Sequence, residues 1–251
     1  MNGGDVGGVL EVLHQVVTAV RGRLDGLDDW GPASGHPGQY RHDVVADEAA
    51  VAVLTGEGFG VLSEESGLHH PERPVLVVVD PVDGSTNASR KLPWWATSVC
   101  ALDAEGPLAA VVGDQASGTR YQAARGAGAS CDGVPIQPAP CRRLDEALVA
   151  FSGFPGRYLG WSQFRAIGAA ALDMCAVAAG KLDAFSSGGG HRLSPWDYLG
   201  GMLICQEAGA AVGERSGLDL VAPRTDARRQ PVAAATPELL GALLEAMGDA
   251  G

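Results

Sequence analysis

The chain is predicted to mix α and β structure in layers, and three observations carry that prediction. An amphipathic helix pattern opens the chain, an uninterrupted β-branched run lies at 74–79, and strand and helix patterns alternate from about residue 147 onward. At 251 residues and 46% hydrophobic content there is enough apolar material for one sizeable core or two fused layers.

Taken in order, Val9, Leu10, Leu13, Val16, Val17 and Val20 recur at helical spacing and predict the first helix. A second helix is expected over 43–54, then a short strand at Phe59, Gly60, Val61 and Leu62. The run Pro74-Val75-Leu76-Val77-Val78-Val79 predicts a buried strand that delivers Asp80 to its carboxyl end. Strand-like runs at 97–102, 108–112 and 120–124, separated by Gly106-Pro107 and Ser117-Gly118, predict an antiparallel meander. Asp132-Gly133-Val134-Pro135 and Pro138-Ala139-Pro140 mark a boundary near Arg143, dividing the chain into halves 1–143 and 144–251 that form one compact unit. Beyond it, strands near 147–151, 184–185, 210–212 and 232–235 alternate with helices at 165–180, 196–207 and 237–247.

Chemistry concentrates in Asp80-Pro81-Val82-Asp83-Gly84-Ser85-Thr86-Asn87. Asp80 and Asp83 are read as close neighbours on a tight turn preset by Pro81, and paired carboxylates repel unless protonated or bridged by a cation. Mg²⁺ is the natural bridge, since it takes oxygen ligands and shares them with substrate phosphate. Gly84 and Ser85 then offer backbone N–H groups at a helix start, where an anion is favoured. The same residues also satisfy a plain type I turn. Glu64-Glu65 end a second strand sixteen residues before Asp80, and Ser194-Pro195-Trp196-Asp197 reads as a capping box opening a helix.

These clusters resemble the signatures of the inositol monophosphatase family of Mg²⁺-dependent, lithium-sensitive phosphatases. The resemblance rests on Ser63-Glu64-Glu65-Ser66, on the Asp80–Asn87 motif and on Trp196-Asp197-Tyr198-Leu199-Gly200-Gly201, and runs from about residue 43 to 213. The stretch 165–175 is similar to the family's helix beside the substrate pocket. The resemblance implies a layered αβαβα sandwich. It implies that Glu64, Asp80 and the Val82 carbonyl hold a first metal, and that Asp80, Asp83 and Asp197 hold a second, with Glu65 behind them. Such a pair of Mg²⁺ ions activates water and stabilises the leaving alkoxide. Ser85, oriented by Asp47 with Asp43 as the fallback, would position the water, and the Gly84 and Ser85 N–H groups would cradle phosphate. Gly168, Ala169, Ala170 and Ser187 would contact substrate. The resemblance further implies a homodimer.

The family pattern is not followed everywhere. Val44-Val45-Ala46 lacks the threonine usual upstream of the assigned acid. The Gly- and Pro-rich segment 29–40 replaces a loop that often carries a lysine near a third metal, so a third Mg²⁺ is left open. The stretch 186–192 is longer than usual, and Ser187 aligns where an acid contacts inositol hydroxyls. The expected substrate is therefore a small phosphate ester such as an inositol, sugar or histidinol phosphate. The alternatives are 3′-phosphoadenosine 5′-phosphate or fructose-1,6-bisphosphate, or a phosphatase-like regulatory protein.

A net charge of −12 argues against nucleic-acid binding, and no apolar run is long enough for a membrane span. The start of the chain lacks a basic secretory region, so a cytoplasmic location is expected. The five cysteines show no metal or redox spacing; a Cys131–Cys141 bridge is conceivable, but a reduced compartment makes free thiols the expectation.

Overall fold

The computed structural model describes residues 6–33 and 39–248. The elements run α1 (Val6–Leu24), α2 (Arg41–Gly56), β1 (Gly60–Ser63), β2 (Gly67–His69), β3 (Leu76–Asp83), α3 (Ser85–Ser89), β4 (Ala96–Asp103), β5 (Gly106–Asp114), β6 (Arg120–Ala124), β7 (Gly128–Cys131) and β8 (Val134–Pro135). There follow β9 (Leu148–Ser152), β10 (Gln163–Arg165), α4 (Ala170–Ala178), β11 (Ala184–Ser187), α5 (Pro195–Ala208), β12 (Ala211–Glu214), β13 (Pro231–Ala234) and α6 (Pro237–Gly248). An eight-stranded sheet has the order β2-β1-β3-β4-β5-β6-β7-β8, and a five-stranded sheet the order β10-β9-β11-β13-β12.

Strand alternation builds the layers. On the large sheet, Val77, Val79, Val99 and Val111 point to one face and pack with Leu13, Val16 and Val20 of α1 and Ala46, Ala50 and Leu54 of α2. Val78, Cys100, Ala110 and Val112 point to the other face and join Leu172 and Met174 of α4 and Leu199 and Leu203 of α5. Those two helices also meet Ala150, Phe185 and Ala233 of the small sheet. The opposite face of that sheet, with Val149, Phe151, Ala184 and Val232, is closed by Leu239 and Leu243 of α6. The order of layers is thus αβαβα, and β3, covered on both faces, needs its unbroken apolar run.

Several expected elements differ at their ends. The second helix starts at Arg41, because Tyr40 and Asp43 form a capping box two residues ahead of the expected start. The helix expected over 165–180 is α4 alone, because Gln163–Arg165 pairs with β9 as an edge strand and Gly168 takes a left-handed φ of 93°. The short strands β2, β7, β8 and β10 carry no strong apolar pattern and were not expected. All five cysteines are free thiols, with Cys100, Cys175 and Cys205 buried. Among the described residues no helix is long and apolar enough to cross a membrane.

Candidate metal and phosphate site

Asp80 and Asp83 lie within one strand. β3 continues through Pro81 to Asp83, and its register against β4 shifts between Asp80, opposite Ser98, and Asp83, opposite Ala96. The expected tight turn is therefore a β-bulge. In an unbroken strand two residues three positions apart face opposite sides; the additional residue in the bulge resets the alternation and brings both carboxylates to one side. Pro81, which has no N–H to donate, is tolerated at such an irregularity, and its carbonyl accepts the Thr97 hydroxyl at 2.8 Å. The Val82 N–H donates to Asp80 Oδ1 at 3.0 Å and fixes that carboxylate against its own bulge.

Glu64 arrives from the neighbouring parallel strand. Ser63 pairs with Val79, and the Glu64 N–H donates to the Val79 carbonyl at 3.2 Å, so Glu64 emerges beside Asp80. Asp197 arrives from across the layer at the third position of α5, where its carboxylate accepts the Ser194 N–H at 2.7 Å in the expected capping box with Pro195 in the first turn. One carboxylate oxygen from each of Glu64, Asp80 and Asp197 lies within 4.8 Å of the others.

Burial without sufficient positive charge pushes these acids upward. The Asp197 pKa rises to about 7, from burial first and then repulsion by Asp83, with Arg228 and the Ser194 N–H pulling it back. The Asp83 pKa rises to about 8, and that of Asp80 rises well above the carboxylate range, burial leading in both. Glu64 is exposed as a residue but turns its carboxylate into the cluster, so burial of that end and the charges of Asp197 and Glu65 raise its pKa; solvent on its open side tempers the shift. An all-oxygen set of mutually repelling carboxylates fits a hard divalent cation such as Mg²⁺, which removes the repulsion.

Asp83 has a second set of partners. Its two oxygens accept the N–H groups of Ala170, at 3.2 Å, and Ala171, at 2.8 Å, at the start of α4. Gly168 and Ala169 lie directly against the bulge, where a Cβ on Gly84 would stand 3.1 Å from the Gly168 carbonyl and 3.3 Å from the Ala169 Cβ. Asn87 bridges the same seam by donating to the carbonyls of Trp94 and Ile167, at 2.8 and 2.7 Å. The segment 168–170, expected to contact substrate, thus adjoins the acidic cluster, with the Ala170 N–H committed to Asp83.

The Ser85 assignment is corrected. Its hydroxyl donates to Asp43 Oδ1 at 2.7 Å and lies 2.8 Å from the Val82 carbonyl. Asp47 instead accepts the hydroxyl of Ser63. The reason is position along the helix axis. With α2 starting at Arg41, Asp43 sits in the first turn facing α3, while Asp47 lies one turn deeper over β1. The signal was present in the sequence as the capping position at Asp43, whose Oδ2 accepts the Tyr40 N–H at 2.8 Å.

Ser187 ends β11 fully buried, and its hydroxyl has no hydrogen-bond partner among the described residues. It lines a cavity of about 220 Å³ with Phe151, Arg157, Arg215 and Met247, none of them from the acidic cluster. His191 and Arg192 are exposed. Residues 34–38 of the segment expected to replace the lysine-bearing loop lie outside the described residues. Sequence reasoning missed Asp173, a buried acid in α4 that accepts the Trp94 indole N–H at 3.0 Å and adds to the repulsion on Asp83.

The family model described as the inositol monophosphatase family matches residues 43–250. Nus factor SuhB of Escherichia coli K12 is 34% identical over 173 residues, covering 62% of this chain and 63% of that protein. The chain thus spans 63% of the length of the first curated relatives it matches. A chloroplastic phosphatase of Arabidopsis thaliana, IMPL1, is 34% identical over 197 residues, 68% of this chain and 52% of that protein. A solved hypothetical protein from Pyrococcus horikoshii with similarities for inositol-1 monophosphatase superposes with a TM-score of 0.87 at 24% identity, covering 96% of this chain and 99% of that one, a likeness of fold. With its layered sandwich, its bulged strand of paired acids and a family match over 43–250, the chain belongs to the inositol monophosphatase family.

Proposed function

We propose that this protein is a Mg²⁺-dependent phosphomonoesterase acting on a small phosphorylated metabolite. The observation that carries the reading is the convergence of Glu64, Asp80 and Asp197 within 4.8 Å, with Asp83 beside them. Glu64, Asp80 and the Val82 carbonyl would hold one Mg²⁺, and Asp80, Asp83 and Asp197 another. When bound, such ions supply a water nucleophile at neutral pH and clamp the charge of an in-line displacement.

The chain's own groups do the rest. Asp43 accepts the Ser85 hydroxyl hydrogen, which leaves a Ser85 oxygen lone pair to accept a hydrogen bond from an attacking water and orient it. Gly84, held at a φ of 91°, exposes the N–H groups of the following turn to a phosphate oxygen. Asp197, fixed by its own cap, keeps its carboxylate still as charge develops on the leaving oxygen. The Ala169–Ala171 backbone borders the place where the alcohol would sit.

The substrate class is an inositol, sugar or histidinol phosphate; Ser187, buried in a cavity away from the acidic cluster, is not carried over as a substrate contact. We include lithium sensitivity, a homodimer and residence in the cytoplasm in this reading. The test is phosphate release with Mg²⁺ across inositol, sugar, histidinol and nucleotide mono- and bisphosphates. Release from one compound, lost on chelation with EDTA, supports the reading. Release from a bisphosphate alone favours the fructose-1,6-bisphosphate or 3′-phosphoadenosine 5′-phosphate alternative. Silence across the panel with Mg²⁺ still bound favours a regulatory protein.

A further inference from the structure

A buried polar chain runs from α1 to the bulge that carries the acids. Opposite Thr97, β3 places two residues, Pro81 and Val82, between the Asp80–Ser98 and Asp83–Ala96 pairs. The Thr97 hydroxyl donates to the Pro81 carbonyl at 2.8 Å. The Gln115 side-chain amide donates to the Thr97 oxygen at 2.9 Å and to the Val17 carbonyl of α1 at 3.2 Å. Thr97 is fully buried and Gln115 is 3% exposed, in a layer otherwise built from Val17, Val20, Val99, Val111 and their apolar neighbours. A valine at 97 would fill that layer without the cost of burying a hydroxyl, so packing alone does not account for threonine here. Gly113, paired with Thr97 across β4 and β5, lets α1 settle on the sheet at this point, since a Cβ there would overlap Val17 Cγ1.

These bonds run in one direction. The Val17 carbonyl can only accept, so the NH₂ end of Gln115 faces it and also feeds the Thr97 oxygen. The Thr97 proton is thereby turned to the Pro81 carbonyl. That carbonyl shares one planar peptide with the Val82 N–H, and in a trans peptide the two point opposite ways. The Val82 N–H is the group that holds Asp80 Oδ1, at 3.0 Å. We propose that Thr97 and Gln115 are positioning residues for the acidic cluster. By gripping the carbonyl end of the peptide between Pro81 and Val82, they aim its N–H end at Asp80 and fix the bulge that brings Asp80 and Asp83 to one side. The Val82 carbonyl, the proposed main-chain ligand, belongs to the same bulge.

This inference rests on the reading of the acids as a Mg²⁺ site, and the experiment separates the two. The probe is Mg²⁺ alone, titrated calorimetrically into metal-free protein. Thr97→Val keeps the shape and removes the hydroxyl; it is expected to weaken Mg²⁺ binding about tenfold, and Thr97→Ser to stay within about twofold of wild type. Gln115→Met is expected to weaken binding less, and to add nothing in a Thr97→Val background, where its route to the bulge is already cut. Val111→Ala, in the same layer but on β5, is the control, expected to lower the melting temperature and leave Mg²⁺ affinity unchanged. Unchanged affinity in Thr97→Val, or an equal loss in Val111→Ala, overturns the proposal. Should wild type bind no Mg²⁺, the metal reading fails, and the Val82 amide proton in EDTA still decides the grip on the peptide. Its NMR resonance is expected to move upfield in Thr97→Val, as a weaker bond to Asp80 requires, and to return in Thr97→Ser. An unmoved resonance overturns the proposal.

Discussion

The Asp83 carboxylate, at the end of β3, accepts the backbone N–H of Ala171 at 2.8 Å across 88 residues of chain. One member of the acidic cluster is therefore also a joint between the large sheet and the helix layer beneath it. The start of α4 favours the ionised form of Asp83, against the burial and repulsion that oppose it.

That double role changes what Asp83→Asn should do. With both oxygens accepting N–H groups, an amide must turn its NH₂ toward one of two donors. We expect loss of Mg²⁺-dependent turnover together with about 1–3 kcal/mol of stability. Denaturant unfolding beside the activity assay checks it, and wild-type stability would contradict the joint.

Asp43 and Asp47 should separate cleanly. Asp43→Asn is expected to lower kcat by about 10²-fold, because the proton of Ser85 loses its charged acceptor. Asp47→Asn is expected to change kcat by less than about threefold while costing about 1 kcal/mol through the Ser63 hydroxyl. Steady-state kinetics on the pair distinguishes them; the reverse pattern would restore Asp47 as the partner of Ser85.

Stability of the metal-free protein should fall as pH rises. Asp83 and Asp197, with pKa values pushed to about 8 and about 7, and Asp173, pushed to about 7 by burial, hold protons in the folded state. The unfolded chain releases them near pH 4. The folded state therefore binds more protons between these limits, and the stability this gives is full below about pH 4 and lost as pH climbs through 7 and 8. Mg²⁺ binds the deprotonated cluster, so its stabilising effect should grow over the same window. Melting temperatures from pH 5 to 8.5, with EDTA or Mg²⁺, check this; a metal-free protein that is most stable at pH 8.5 would refute it.

Gly200 and Gly201 set how close α5 comes to its neighbours. A Cβ on Gly201 would meet the Met174 Cβ at 2.7 Å and the Ala171 carbonyl at 3.2 Å, and neither can swing away freely. Gly201→Ala is expected to cost about 1–3 kcal/mol. It should also weaken Mg²⁺ binding, because α5 carries Asp197 and α4 holds Asp83. Calorimetric unfolding and Mg²⁺ titration provide the check, and an unchanged pair of values would show that the helices yield without strain.

Asp80, Asp83, Glu64 and Asp197 were legible in the sequence because each stands at a punctuation mark: the end of an apolar strand run, or the capping box of a helix. The main strands β3, β4, β5 and β9 were legible because a strand buried on both faces must be apolar throughout. The short strands β2 and β10 were not, because partly solvated edge strands carry no such pattern. Nor did local pattern reveal that Asp80 and Asp83 meet through a bulge, since residue spacing does not say where a strand's alternation is reset. Asp43 and Asp47 stand four residues apart on one face of α2, so local pattern could not say which of them the packing of α2 on α3 brings to Ser85. The grip of α4 on Asp83 and the bond from Ser85 to Asp43 join segments far apart in the chain. The sequence by itself determined which residue types stand at the strand ends and helix starts, and so the family and the chemistry of the cluster. Only the tertiary structure decided which of those groups touch, because hydrogen bonds of 3 Å depend on the packing of layers that no local pattern encodes.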